Sequence, residues 1–134
     1  MIRYRDGYKY QLETSYQVGI EIRPKEDVIT DWLLLNGDGM LSIMQGYAWD
    51  GPSGPMPDVK SAMRGSLVHD ALYQLIRMER LDGSCRDPAD KLLRQLCVED
   101  GMAHPMAELV YQMVHIFGSP YADPANTKPV IEAP

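Results

Sequence analysis

The chain has 134 residues, of which 45% are hydrophobic and 24% charged, a composition ordinary for one globular domain with its own core. Its net charge is −6 and no run of Lys or Arg interrupts it, which disfavours binding to nucleic acid or to an anionic membrane surface. Two cysteines are too few for a disulfide framework, and the first residues lack the apolar stretch of a signal peptide. We therefore expect reduced thiols, a reducing cytoplasm and no transmembrane segment.

The first part of the chain predicts antiparallel strands. Asp6-Gly7 lies between two short β-rich runs, which is typical of a hairpin with a two-residue turn. Residues 16–22 alternate strictly between apolar and polar side chains, as in a strand with one buried face. Residues 28–35 and 40–45 flank a Gly-rich turn and predict a second antiparallel pair. We expect one twisted sheet of about three to five strands.

The second part of the chain predicts three helices. Apolar residues recur at helical spacing over residues 59–78, with a narrow polar side. A second helix is expected to begin at Asp87-Pro88, a typical N-cap followed by proline, and to end before Gly101. The third is expected over residues 105–117. Its predicted core stripe consists of Met106, Leu109, Val110, Met113, Val114 and Phe117.

These elements predict an α+β fold: a small N-terminal antiparallel β-sheet followed by three α-helices, with a central antiparallel helix pair. We expect a single domain over residues 1–118. Within it residues 1–46 are β-rich, residues 47–58 form a loop and residues 59–118 are helical. Residues 119–134 contain four prolines and little apolar content, so they are expected to form a Pro-rich C-terminal tail.

The loop over residues 47–58 is the first candidate site. Three prolines and two glycines within eight residues exclude regular structure and leave backbone carbonyls free of internal hydrogen bonds. Carbonyl oxygens beside a carboxylate such as Asp50 are the ligands that a hard cation such as Ca²⁺ prefers.

His69-Asp70, on the first predicted helix, is the second candidate site. Successive helical residues point about 100° apart, so His69 is expected at the edge of the buried stripe and Asp70 on the polar side. Asp90 lies at the border of the apolar stripe of the second helix. If the two helices pack antiparallel, Asp90 would accept a hydrogen bond from His69, fix its tautomer and stabilise an imidazolium. His69 would then activate a water molecule.

Each of these residues also has a purely structural interpretation. Asp90 suits the first turn of a helix, where acidic residues stabilise the N-terminus. Asp50-Gly51 is consistent with a simple turn, Asp58 with an N-cap, and Tyr73 with packing alone.

Three separated motifs occur in order: Trp-Asp-Gly-Pro-Ser-Gly-Pro at residues 49–55, His-Asp-Ala-Leu-Tyr at residues 69–73 and Arg-Asp-Pro-Ala-Asp at residues 86–90. Together they resemble a family of small phage and prophage proteins, catalogued as domain of unknown function 1353. The resemblance covers roughly residues 8–101. It implies a phage or prophage source, and with it a location in the host cytoplasm or the virion.

Residues 47–97 are more distantly similar to secreted phospholipases A2, especially the short bacterial type. This resemblance implies that His69 is the catalytic base, that Asp90 orients it and that Tyr73 supports Asp90. The expected function is then hydrolysis of a phospholipid or another ester by a His-activated water molecule.

The same resemblance implies a calcium site formed by Asp50, the carbonyl of Gly51 and Asp70. The chain departs from the phospholipase pattern because no cysteine lies beside the loop or before His69, so the usual disulfides are absent from the sequence.

The leading alternative is a non-enzymatic protein on the same scaffold, either virion- or tail-associated or interacting with a host protein. Its acidic surface, Pro-rich tail and aromatic strands fit that role. No histidine precedes His69, which disfavours a His-Asp metallohydrolase, and His104 and His115 are expected to be ordinary surface or boundary residues. A lipase needs an exposed apolar rim, for which the candidates are Met40, Ile43, Met44, Trp49 and Met56.

Overall fold

The structure is a computed structural model, and it describes residues 2, 4–7, 9–49, 51 and 59–123. The fold is α+β, with antiparallel strands in the first part of the chain and helices in the second, as the sequence predicts. The strands and the helices belong to two compact units, within residues 1–50 and 51–127 respectively, and each is described by itself. The predicted single domain of residues 1–118 stays a prediction.

The described residues of the strand unit form two antiparallel sheets, whereas the sequence predicted one. The first sheet has the order β1-β2-β7 and the second the order β3-β6-β5-β4. Their strands are β1 (Tyr4–Gly7), β2 (Lys9–Leu12), β3 (Tyr16–Gly19), β4 (Val28–Ile29), β5 (Leu33–Leu35), β6 (Met40–Ile43) and β7 (Ala48–Trp49).

The four-stranded sheet follows the alternation and turn signals of the sequence. β5 and β6 pair antiparallel across the predicted turn, with Leu33 opposite Ile43 and Leu35 opposite Leu41, and all four side chains are fully buried. The predicted strand over residues 28–35 is divided in two, because the Thr30 hydroxyl and backbone bond to Leu33 and turn the chain. Local side-chain hydrogen bonds of this kind compete with the strand ladder.

Two predictions about the other sheet were wrong in detail. Asp6 and Gly7 do not form the hairpin turn, because they belong to β1 and pair with Tyr10 and Lys9 of β2. Residues 47–58 are not irregular throughout, since Ala48 and Trp49 form β7 and pair with β2.

Helices α1 (Met63–Arg77) and α2 (Arg86–Glu99) form the predicted antiparallel pair. Arg64, at the start of α1, bonds to Glu99 and Asp100 at the end of α2, while residues later in α1 contact the start of α2. Gly65 allows the close approach, because a Cβ there would lie 2.9 Å from Leu93 Cδ1 and 3.3 Å from Cys97 Sγ.

The predicted start of α2 was slightly misplaced. A 3-10 turn over Gly83–Cys85 leads directly into the helix at Arg86, and the side chain of Asp82 caps that turn at the Ser84 amide. Asp87, the predicted N-cap, therefore lies inside the helix.

Helix α3 (His104–Phe117) packs against α2, and α4 (Ser119–Ala122) packs against α1. The prediction of a tail was wrong for its first residues, because they form α4. In this helix Ala122 is buried, and Arg77 Nη1 donates to the Tyr121 carbonyl at 2.6 Å. Residues 124–134 of that predicted tail lie outside the described residues.

Candidate functional site

Helix α1 places His69 and Tyr73 one turn apart, on the side that faces α2. Both residues are buried, at 5% and 3% exposure, and their ring centroids are 4.1 Å apart. The spacing of four residues brings the two side chains onto the same face of the helix. Helix α1 therefore presents two polar side chains toward α2.

Asp90 on α2 lies opposite this pair and is fully buried. Its Oδ1 is 2.7 Å from His69 Nε2 and accepts a hydrogen bond from the Tyr73 hydroxyl at 2.6 Å. The hydrogen bond between His69 and Asp90 that the sequence predicted is present. Asp90 is the fifth residue of α2, and its side chain bonds to residues of α1. Its position is therefore explained by contacts between two helices and not by stabilisation of the N-terminus of its own helix.

Oδ2 of Asp90 faces two further cationic or polar groups. Arg86 Nη1 lies 3.7 Å away and also donates to the Tyr73 hydroxyl at 3.3 Å, while Nη2 donates to the His115 carbonyl at 3.0 Å. His115 Nδ1 lies 3.4 Å from Oδ2. A buried carboxylate is costly unless it is surrounded by donors, and here each oxygen has them.

The geometry assigns a role to each nitrogen of His69. We place the proton on Nε2, because the carboxylate oxygen of Asp90 accepts it. Nδ1 is then the basic nitrogen, and it lies 4.0 Å from Asp70 Oδ1, beyond hydrogen-bond reach. A lone pair on Nδ1 beside a carboxylate is suited to removing a proton from water.

Tyr73 is held in its neutral form. Burial raises its pKa well above the usual value, and the hydrogen bond to Asp90 raises it further. Tyr73 therefore acts as a permanent donor to Asp90 at neutral pH. A hydroxyl that stays protonated positions the carboxylate without exchanging protons with it.

The structure describes only part of the calcium site that the resemblance implies. Asp50 lies outside the described residues. Gly51 is buried and has φ +71°, a backbone conformation that favours glycine, and the Asp70 side chain is 32% exposed. Within the described part of the chain, no group of three or more His, Cys, Asp or Glu side chains is arranged to hold a metal ion. The partly exposed Asp70 carboxylate fits a hard cation, and the complete ligand set stays a prediction.

The remaining sequence candidates are a cysteine, the predicted apolar rim and one N-cap residue. Cys97 is a buried free thiol, and burial raises its pKa to about 11, so it is a packing residue and not a nucleophile. Of the predicted apolar rim, Ile43 and Trp49 are buried, Met40 is 41% exposed and Met44 is half-buried. Met56 and the N-cap candidate Asp58 lie outside the described residues.

Sequence reasoning missed Arg86 and the contact of His115 with Asp90. Arg86 precedes Asp90 by four residues, and that spacing was a usable signal for an ion pair on one helix. His115 is half-buried, as expected of a surface or boundary residue, and it reaches Asp90 because α3 packs antiparallel on α2. That contact depends on tertiary packing, and no local pattern in the sequence indicates it.

Comparisons with protein-family models, curated proteins and solved structures found no significant match to this chain. None of the helices in the described ranges is long and apolar enough to span a bilayer.

Proposed function

We propose that this protein is a phage-encoded, calcium-dependent hydrolase of phospholipids or related esters, with His69 as its catalytic base. The observation that carries the proposal is the buried hydrogen bond of 2.7 Å between His69 Nε2 and Asp90 Oδ1, supported by Tyr73. Resemblance of the motifs around His69 and Asp90 to phage proteins and to phospholipases A2 supplies the source and the substrate class.

The chemistry that this arrangement supports needs no side-chain nucleophile. Nδ1 of His69 takes a proton from a water molecule as the water oxygen bonds to the ester carbonyl carbon. The resulting imidazolium is stabilised by Asp90, which keeps the ring in place through Nε2. Collapse of the tetrahedral intermediate breaks the bond to the alcohol oxygen, and the imidazolium returns its proton to that oxygen. Ca²⁺, when bound, would supply positive charge for the developing oxyanion.

The decisive assay is release of fatty acid from phosphatidylcholine vesicles, with Ca²⁺ and with chelator. We expect His69→Ala to lower the rate by about 10²–10⁴-fold, the usual contribution of a general base. His104→Ala is the matched control, because His104 is an exposed histidine at the start of α3. Equal rates for the wild type, His69→Ala and a blank would reject the enzymatic function.

The calcium site has a separate test in thermal unfolding. Ligand that binds only the folded state raises Tm, so millimolar Ca²⁺ should raise it in the wild type and not in Asp70→Asn. Mg²⁺ at the same concentration is the control for ionic strength. A Tm that does not respond to Ca²⁺ would remove the cation from the proposal and leave His69 and Asp90 to be judged by the assay.

A non-enzymatic scaffold is the second candidate. The observation that favours it is that Asp90 is fully paired within the protein, by His69, Tyr73 and Arg86, so the cluster also suffices to hold α1 and α2 together. Such a protein would act through a virion or host partner, and its His69→Ala variant would lose stability while no hydrolysis would be seen in any variant.

A further inference from the structure

Helix α3 is more apolar than its contacts with the rest of the helical unit require. Ala107, Val110 and Val114 are buried against the core formed with α2. A second set of large apolar side chains on the same helix remains exposed, although the sequence predicted most of them as core: Met106 at 45%, Leu109 at 54%, Ile116 at 62% and Phe117 at 55%. Met113, between them, is half-buried.

These exposed residues form one continuous strip. At about 100° per residue, they fall within an arc of roughly 100° that borders the buried side of α3. The strip along the helix is Met106, Leu109, Met113 and Ile116, with spacings of three, four and three residues. This is the heptad spacing of a helix-pairing seam, and it is symmetric about the level of residue 111.

The charge around the strip favours a protein partner of the same kind. The chain carries a net charge of −6, yet no member of the strip is charged, and the neighbouring Pro105 and Gln112 are also neutral. Glu108, on another side of α3, is paired with Arg94 at 2.7 Å. Pairing of two such strips therefore places no like charges within the seam, and the strip offers no cationic side chain to anchor an anionic lipid surface.

We propose that the strip binds α3 of a second copy, antiparallel, across a twofold axis at the level of residue 111. In that register Met106 lies opposite Ile116 of the other copy, and Leu109 lies opposite Met113. A symmetric dimer needs a self-complementary surface, and the three-four-three spacing supplies one. The proposal is independent of the hydrolase function.

The size of the strip determines how tightly two copies are expected to bind. The strip consists of side chains from a single 14-residue helix, whereas a standard stable interface uses about 20–30 residues on each partner. We therefore expect a dissociation constant on the order of tens of micromolar, so that the monomer and dimer exchange over accessible concentrations.

Sedimentation equilibrium between micromolar and millimolar concentrations tests this directly. Leu109→Glu should raise the dissociation constant by at least about tenfold, because it places two like charges in the seam. Ile29→Glu is the matched control, since Ile29 is an equally exposed isoleucine at 65% on β4 in the strand unit. It should dimerise like the wild type.

A mixing experiment tests the register and does not depend on a loss of function. Leu109→Lys and Met113→Glu should each weaken the dimer alone, whereas an equimolar mixture should form a heterodimer in which the Lys of one copy faces the Glu of the other. In a parallel arrangement the introduced Lys would face Leu109 of the other copy, and mixing would restore nothing.

Three results would overturn the proposal. The first is a wild type that remains monomeric at millimolar concentration, and the second is a dimer that Leu109→Glu does not weaken. The third is a monomer that binds neutral phosphatidylcholine vesicles through Leu109, which would make the strip a lipid-docking surface. Circular dichroism spectra of each variant show that the helices are still formed.

Discussion

Helix α2 carries two aspartates that face two different His–Tyr pairs, and the first pair is buried. We call His69, Tyr73 and Asp90 the inner trio. Its histidine and aspartate side chains are 6% and 0% exposed, and its two hydrogen bonds are 2.7 and 2.6 Å long.

The second group, Asp87, Tyr111 and His115, uses the same residue types at the surface, and we call it the outer trio. Tyr111 donates to Asp87 Oδ1 at 2.6 Å, and His115 Nδ1 lies 3.4 Å from the same oxygen. As in the inner trio, the tyrosine and histidine are four residues apart on one helix, with ring centroids 5.5 Å apart. The Asp87 and His115 side chains are 40% and 42% exposed.

The comparison shows that residue types and spacing do not by themselves make a candidate catalytic site. At the solvent-exposed surface, screening and the loss of side-chain entropy reduce the contribution of an ion pair to the free energy of unfolding to almost nothing. In the interior the same carboxylate must be held by several donors, and any group that it orients stays oriented. The outer trio is therefore an internal control for the inner one.

The largest expected difference is between Asp90→Ala and Asp87→Ala. Removing Asp90 leaves His69 and Tyr73 with unpaired buried groups, so it should lower the free energy of unfolding by about 3–5 kcal/mol. Removing the exposed Asp87 should cost no more than about 1 kcal/mol. Urea unfolding measures both, and similar losses would mean that burial does not separate the two trios.

The tyrosines should differ next, and the difference should become smaller at alkaline pH. Tyr73→Phe removes one of the donors that hold the buried Asp90 and should cost about 1–3 kcal/mol, more than Tyr111→Phe. Because the folded-state pKa of Tyr73 is raised above its unfolded value of about 10, the unfolded chain ionises first as pH rises. The stability from this group is complete below pH about 10 and is lost as pH rises towards the folded-state pKa. In urea titrations between pH 8 and 11, the free energy of unfolding should decrease less with rising pH in Tyr73→Phe than in the wild type.

The smallest effect is expected from Asp87 at acid pH. The hydrogen bond from Tyr111, and then that from Lys91, lower the pKa of Asp87 below its usual range. Its contribution is present above the unfolded pKa of about 4 and is lost as pH falls through the folded-state value. Asp87→Asn should remove this small loss, and 0.5 M salt should mask it because the group is exposed. A salt-independent effect would place Asp87 in a less solvated setting than the structure does.

Much of the fold and the centre of the candidate site could be predicted from the sequence, because both depend on periodicity. Helical spacing placed His69 and Asp90 on facing sides of two helices. To predict a contact between these two residues, it is enough to know the side of the helix on which each lies and that the helices pack antiparallel. Arg86 and His115 were missed because their contacts depend on how α2 begins and on which side of it α3 packs.

The exposed strip on α3 shows the other limit of sequence reasoning. Periodicity identifies the apolar side of a helix, but it does not say whether the same chain covers that side. Leu109 and Phe117 were predicted as core for that reason, and they are 54% and 55% exposed. The misplaced turn at Asp6-Gly7 has a similar cause, since strand register was decided by pairing and not by the preferred turn dipeptide.

The burial of Asp90 has a further consequence for the proton on His69 Nε2. A proton that bridges two buried atoms exchanges with solvent only when the surrounding structure opens. The resonance of this proton should therefore appear far downfield and vanish at the rate at which α1 and α2 separate. The solvent-exchange rate of this proton therefore reports how often α1 and α2 separate, and it can be measured in the absence of any substrate.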